Sequence, residues 1–173
     1  TDTWAYTYTI EVEDFLVNMP ANGSSTVDCY SDITTPTPPV VTDNCGNTIT
    51  PTGPAIGGSY TTCEGTVTYT WTYTDCELNA HNWVYTYTIE YEPFAIATPD
   101  GSSTVDCYSD VTTPIPPTVY DNCGVLLTAS TPVITGTYTS CEGTVIYTFT
   151  YTDCELNTDT WAYTYTIEVE DFL

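Results

Sequence analysis

The chain has 173 residues, with no Lys or Arg against 23 Asp and Glu, and a formal net charge of −23. Such a surface has nothing to neutralise phosphates and repels anionic headgroups, so nucleic-acid binding and membrane association are excluded as roles. Disorder is excluded as well, because 14% of residues are aromatic and long segments alternate strictly, which marks a folding sequence with an acidic coat. Thr, Tyr, Val and Trp favour strands, and no stretch shows a helical apolar period, so the chain reads as all-β. No run approaches the roughly 18 apolar residues of a membrane span.

Taken in chain order, residues 1–16 read TDTWAYTYTIEVEDFL, and residues 158–173 repeat the same sixteen letters. Residues 80–95 give a third version, AHNWVYTYTIEYEPFA. The segment GSSTVDCYSD starts at Gly23 and again at Gly101, an offset of 78. The period defines three parts: 1–16 as the last strand of a preceding repeat, 17–95 as one repeat and 96–173 as a second. Both ends fall mid-pattern, as in a window onto a longer array. Repeats of this length are large enough to fold singly with help from disulfides.

Within the first repeat, short strands are predicted over 25–30, 39–44, 47–51 and 58–62, with Pro36, Pro38 and Pro39 stiffening the connector between the first two. Two long strands follow. In 65–75, Val67, Tyr69, Trp71 and Tyr73 share one face. In 83–92, Trp83, Tyr85, Tyr87, Ile89 and Tyr91 share one face. The link 76–82 joins them as an antiparallel hairpin whose aromatic faces supply half a core. The predicted architecture is a tandem array of two-sheet, Greek-key β-sandwiches of immunoglobulin type. The linkers 15–22 and 94–100 are short and carry Pro20, Pro93 and Pro99, so a semi-rigid rod is expected.

Four cysteines per repeat, spaced by 16, 18 and 13 in both copies, read as disulfides in an oxidising, extracellular compartment. The spacings do not suit zinc. Cys63 and Cys76 flank one long strand on the order of 40 Å long at about 3.3 Å per residue, too far for a disulfide. An immunoglobulin-like path then brings Cys45 and Cys76 to one pole and Cys29 and Cys63 to the other. The expected bridges are Cys29–Cys63, Cys45–Cys76, Cys107–Cys141 and Cys123–Cys154.

DNCG at 43–46, GTVTYTWTYTDCELN at 65–79 and the alternating last strand together resemble the hyalin repeat (HYR). The four-cysteine spacing is similar to that of HYR-like domains in very large surface proteins of Bacteroidetes, including gliding-motility adhesins of the SprB kind. The resemblance covers both full repeats and the leading strand. It implies an Ig-like fold and extracellular adhesion, with no family-wide catalytic residues. The ELN at 77–79 departs from the usual turn and leaves the hairpin conformation open.

No catalytic residue is expected. The single His, His81, is matched by Asp159 in the next repeat, and it reads as an exposed turn residue. If Cys45 bonds Cys76, then Asp43, Asn44, Asp75, Glu77 and Asn79 converge, as do Asp121, Asn122, Asp153, Glu155 and Asn157. Oxygen donors in such clusters suit calcium; the competing account is a solvated acidic rim. The expected function is a stalk or filament segment of a large secreted bacterial surface adhesin in attachment or gliding. Its partners would be neighbouring repeats, other copies in a filament, and a surface or glycan ligand. The alternatives are a self-assembling extracellular fibre and an accessory module of a secreted carbohydrate-active enzyme.

Overall fold

The computed structural model describes residues 1–139 and 141–168. The chain divides into two compact units, Thr1–Glu90 and Tyr91–Leu173. The first holds β1 (Gly23–Val27), β2 (Val41–Thr42), β3 (Thr48–Ile49), β4 (Thr52–Gly58), β5 (Gly65–Thr74) and β6 (Ala80–Ile89). The second repeats the series with β7 (Gly101–Val105), β8 (Val119–Tyr120), β9 (Leu126–Leu127), β10 (Val133–Thr135), β11 (Glu142–Thr152) and β12 (Thr158–Glu168). Each unit has a four-stranded sheet, ordered β1-β6-β5-β4 or β7-β12-β11-β10, and a separate two-stranded hairpin, β2-β3 or β8-β9. Among the described residues helical structure is limited to short 3-10 turns, such as Phe15–Asn18, and no helix is long and apolar enough to cross a membrane.

The β5–β6 hairpin forms because alternation puts one apolar face on each strand. Val67, Tyr69, Trp71 and Tyr73 are buried, as are Trp83, Tyr87 and Ile89 across from them. The register sets Trp71 opposite Trp83, with ring centroids 5.4 Å apart. In the second unit Phe149 faces Trp161 at 5.9 Å. Val41 and Ile49, paired across the small hairpin, cover this face and close the core. Each buried aromatic or aliphatic side chain contributes on the order of 1.5–3 kcal/mol. Buried Tyr73 and Tyr151 donate their hydroxyls to the carbonyls of Pro39 and Pro117, which ties the proline-rich connector to the core. Burial pushes both phenols above their ordinary pKa.

Strand β1 lies at the sheet edge and runs parallel to β6 from Gly23↔Tyr85 to Val27↔Ile89. A side chain at Gly23 would put its Cβ 2.4 Å from the Tyr85 ring, so the close approach of β1 requires glycine. The Trp83 indole N–H donates to the Ala21 carbonyl at 2.8 Å, and Trp161 does the same to Pro99.

Several strands differ from expectation. Of the segment 58–62 only Gly58 is strand, as the last residue of β4, and 59–62 is irregular. Gly58 sits at φ +127, where an added Cβ would lie 2.0 Å from the Thr66 carbonyl oxygen, and Ser59 and Tyr60 then fold back to donate to that same oxygen. Strand β1 starts earlier than predicted and stops at Val27, since Tyr30–Asp32 forms a 3-10 turn. Strand β6 ends at Ile89 rather than at 92, and Tyr91 belongs to the second unit.

Phe15 and Phe94, read as the first residues of linkers, are instead core residues of the repeat that follows them. Phe15 packs with Val41, Trp71 and Ile89 in the first core, and Phe94 with Val119, Phe149 and Ile167 in the second. The compact second unit thus takes in 91–95, which the sequence period assigns to the first repeat.

Candidate functional site

Two turns and the start of β6 define one end of each repeat. In the first, the β2–β3 turn carries Asp43, Asn44 and Cys45, and the β5–β6 turn carries Asp75, Cys76, Glu77 and Asn79. Each Asp organises its own turn. Asp43 Oδ1 accepts from the backbone N–H of Cys45 at 2.9 Å and of Asn47 at 2.8 Å, and its Oδ2 accepts from Asn47 Nδ2 at 2.9 Å. Asp75 accepts in the same way from Glu77 N, Asn79 N and Asn79 Nδ2, all at 2.9 Å. An Asp side chain folding onto backbone two and four residues on is the physical basis of such turns. Leu78 takes φ +69 in the ELN turn, and Leu156 takes φ +67 at the matching place, so the departure from the HYR pattern is absorbed by one left-handed residue. The Asn47 side chain, followed by the turn N–H groups, holds the Asp43 carboxyl below its ordinary pKa.

The segment entering the repeat docks on this end. Asn44 Nδ2 donates to the carbonyls of Glu13 at 2.9 Å and Asp14 at 3.1 Å. Asn18 Nδ2 donates to Thr42 O at 2.9 Å and to Asn44 Oδ1 at 3.1 Å. Glu77 Oε1 accepts from Val12 N at 3.0 Å. Asp14 caps the 3-10 turn by accepting from Leu16 N at 2.9 Å, and its Oδ1 lies 2.6 Å from His81 Nε2. The His81 hydrogen bond, then that of Leu16, lowers the Asp14 pKa. His81 is thus a half-buried residue of β6 rather than an exposed turn residue, and its ring meets Phe15 edge-on at 4.9 Å.

The second repeat builds the same dock with different side chains. Asn122 Nδ2 donates to Glu92 O at 2.9 Å and Pro93 O at 3.0 Å. Asp121 holds its turn through Cys123 N and Val125 N, and its Oδ2 accepts from the Tyr91 hydroxyl at 2.6 Å. Asp153 repeats the Asp75 turn through Glu155 N, Asn157 N and Asn157 Nδ2. Asp159, in the place of His81, accepts from Ile96 N at 2.9 Å.

The residues considered for calcium therefore fall into two turns and a clamp. Asp43, Asp75 and Asp153 use both carboxylate oxygens within their own turns, and Asn44 and Asn122 hold the entering chain. Among the described residues no group of three or more His, Cys, Asp or Glu side chains is arranged to hold a metal ion. Sequence reasoning missed the clamp, and also the role of Phe15 and Phe94. One signal for the latter was available: Trp4, Tyr6, Tyr8, Ile10 and Val12 fall on even positions, and Phe15 breaks that phase.

Cys29 and Cys63 are disulfide-bonded in the first repeat, and Cys123 and Cys154 in the second. Cys45 and Cys76, the counterparts of the latter two, carry exposed thiols, as does Cys107.

Two tandem all-β units of Ig-like sandwich type, each holding the segment at its own start by the same Asn clamp, define a class of modular repeat protein. The chain belongs to the family of HYR-like domains with four cysteines, whose model matches residues 17–89 and 95–167. Domains of this family are typically extracellular, adhesion-type structural modules, and no enzyme family is indicated. No curated protein matches the chain.

Proposed function

We propose that the chain is a structural segment, stalk or filament, of a large secreted cell-surface adhesin, of the kind that bacteria use for attachment or gliding. The observation that carries this reading is the repeated dock: each repeat takes the segment that enters it into its own core through Phe15 or Phe94 and clamps its carbonyls with Asn44 or Asn122. A domain that closes its core with the segment leading into it serves as a link in a chain. The acidic coat keeps neighbouring threads apart. Cryo-EM of the native surface, with the chain located by antibody, tests it. A thread one repeat wide supports the stalk. Absence of the label from surface projections sinks it.

A second reading, a self-assembling fibre, has one specific support. Trp4, Tyr6, Tyr8 and Ile10 are largely exposed, and residues 1–11 have no strand partner among the described residues. The same letters form β12, which lies between β11 and β7. Such a strand fits into a sheet supplied by a preceding repeat or by another chain. A multi-start helical fibre in the same images favours this reading.

A further inference from the structure

We infer that the entering segment and the end it docks on are matched in two distinct kinds, so that Val12 with Asp14 fits an end bearing Asn47 and His81, whereas Tyr91 with Pro93 fits an end bearing Val125 and Asp159. The two docks share a frame, namely the Phe in the core and the Asn clamp on two successive carbonyls. They differ at several aligned positions, four of which compensate in pairs.

The first pair concerns the turn carboxylate. In the first repeat Asn47 Nδ2 occupies Asp43 Oδ2, and the entering residue, Val12, brings no donor side chain. In the second repeat Val125 replaces Asn47 and leaves the matching oxygen of Asp121 available, and Tyr91, in the place of Val12, donates its hydroxyl there. Combining Tyr91 with an Asn47-type turn would bring a second donor to an oxygen already served, which a carboxylate oxygen can accept, so this combination gains less than the native pair without being penalised. Combining Val12 with a Val125-type turn would leave that oxygen unpaired, which is costly near a core.

The second pair concerns charge. Asp14 sits 2.6 Å from His81 in the first dock. In the second, Pro93 takes the place of Asp14 and Asp159 that of His81, and Asp159 turns to the Ile96 N–H instead. An Asp14-type segment on an Asp159-type end would bring two carboxylates together, with no Lys or Arg anywhere in the chain to relieve them. Mismatch is thus penalised as well as match rewarded, which is how specificity is built.

A swap within the intact chain tests the pairing. Asp14 has φ −55, so proline is accommodated at that position. Hydrogen exchange of residues 12–18 is measured for the parent, His81→Asp, Asp14→Pro and the double variant, together with thermal unfolding. His81→Asp is expected to speed exchange by about tenfold, the scale of coupling between contacting residues. The double variant, which recreates the second kind of dock, is expected to return close to the parent. Pro93→Asp and Pro93→Asp/Asp159→His, read on residues 91–97, repeat the test in the other unit, and keep it decisive if a change in the first unit prevents folding. Effects that simply add, or single variants indistinguishable from the parent, overturn the inference. Two residues with separate structural roles do not rescue one another.

Discussion

Asp43, Asp75, Asp121 and Asp153 show what an acidic residue does in a chain without Lys or Arg. Each finds its donors in backbone amides, with Asn or Tyr in support, instead of in a salt bridge. A carboxylate that accepts several N–H groups is stabilised in its charged form. For Asp43 and Asp14 the folded pKa lies below the ordinary value of 3.8. Their contribution to stability is therefore present above that value and lost as pH falls through the lower, folded one. Thermal unfolding followed from about pH 5 downward should show an acid limb that Asp43→Asn makes shallower, since Asn keeps an acceptor oxygen but does not titrate. These residues were legible in the sequence as acidic residues gathered at one end. Their partners were not, because an Asx turn and a calcium site draw on the same side chains. Which donors each carboxylate takes is set by the direction of the backbone N–H groups, which residue type does not reveal.

At the scale of elements, the long hairpin was readable because its period-2 pattern runs over ten residues per strand, and the structure keeps every buried position of 67–73 that the pattern assigns. The short strands were less readable. Two residues each for β2 and β3 are too few to carry a period, and Gly58 ends β4 for a steric reason that appears only when Thr66 is in place. Assigning the entering segment also needed three dimensions: sequence similarity attaches 11–16 to the strand before it, whereas packing attaches Phe15 to the core after it. Phe15→Ala should therefore destabilise the first repeat by about 3–5 kcal/mol, the usual cost of emptying a buried aromatic site, although the residue lies outside the 17–89 span of the family match. Denaturant unfolding of the intact chain measures this. A cost confined to exposed-surface values, within about 0.5 kcal/mol, would return Phe15 to the linker.

At the scale of the whole molecule the two repeats inform each other. The first shows Cys29 and Cys63 bonded, and the second shows Cys123 and Cys154 bonded. Superposing the sequence period makes Cys29 and Cys63 the counterparts of Cys107 and Cys141, and Cys123 and Cys154 those of Cys45 and Cys76. Both bridges are thus expected in both repeats of the oxidised chain: Cys29–Cys63 with Cys45–Cys76, and Cys107–Cys141 with Cys123–Cys154. Mass mapping of a non-reduced digest checks it, and a peptide linking Cys45 to Cys63 would refute it. Trypsin has no site in a chain without Lys or Arg, so the digest must use another protease.

The parallel pairing of β1 with β6 bears on how such a repeat carries load. The polypeptide enters the sheet at the start of β1 and leaves it at the end of β6, and these two strands lie side by side, pointing the same way. Tension on the two ends of a repeat therefore drags the strands past each other along their length. Five paired positions, from Gly23 to Val27, are then strained at once, rather than being peeled apart one after another. β7 and β12 repeat the arrangement over Gly101 to Val105. Forced unfolding is governed by the rate of rupture rather than by equilibrium stability, and in this geometry rupture requires the paired positions to give way together. The resistance of such a domain to tension is thereby set by the β1–β6 pairing rather than by the stability of the whole fold.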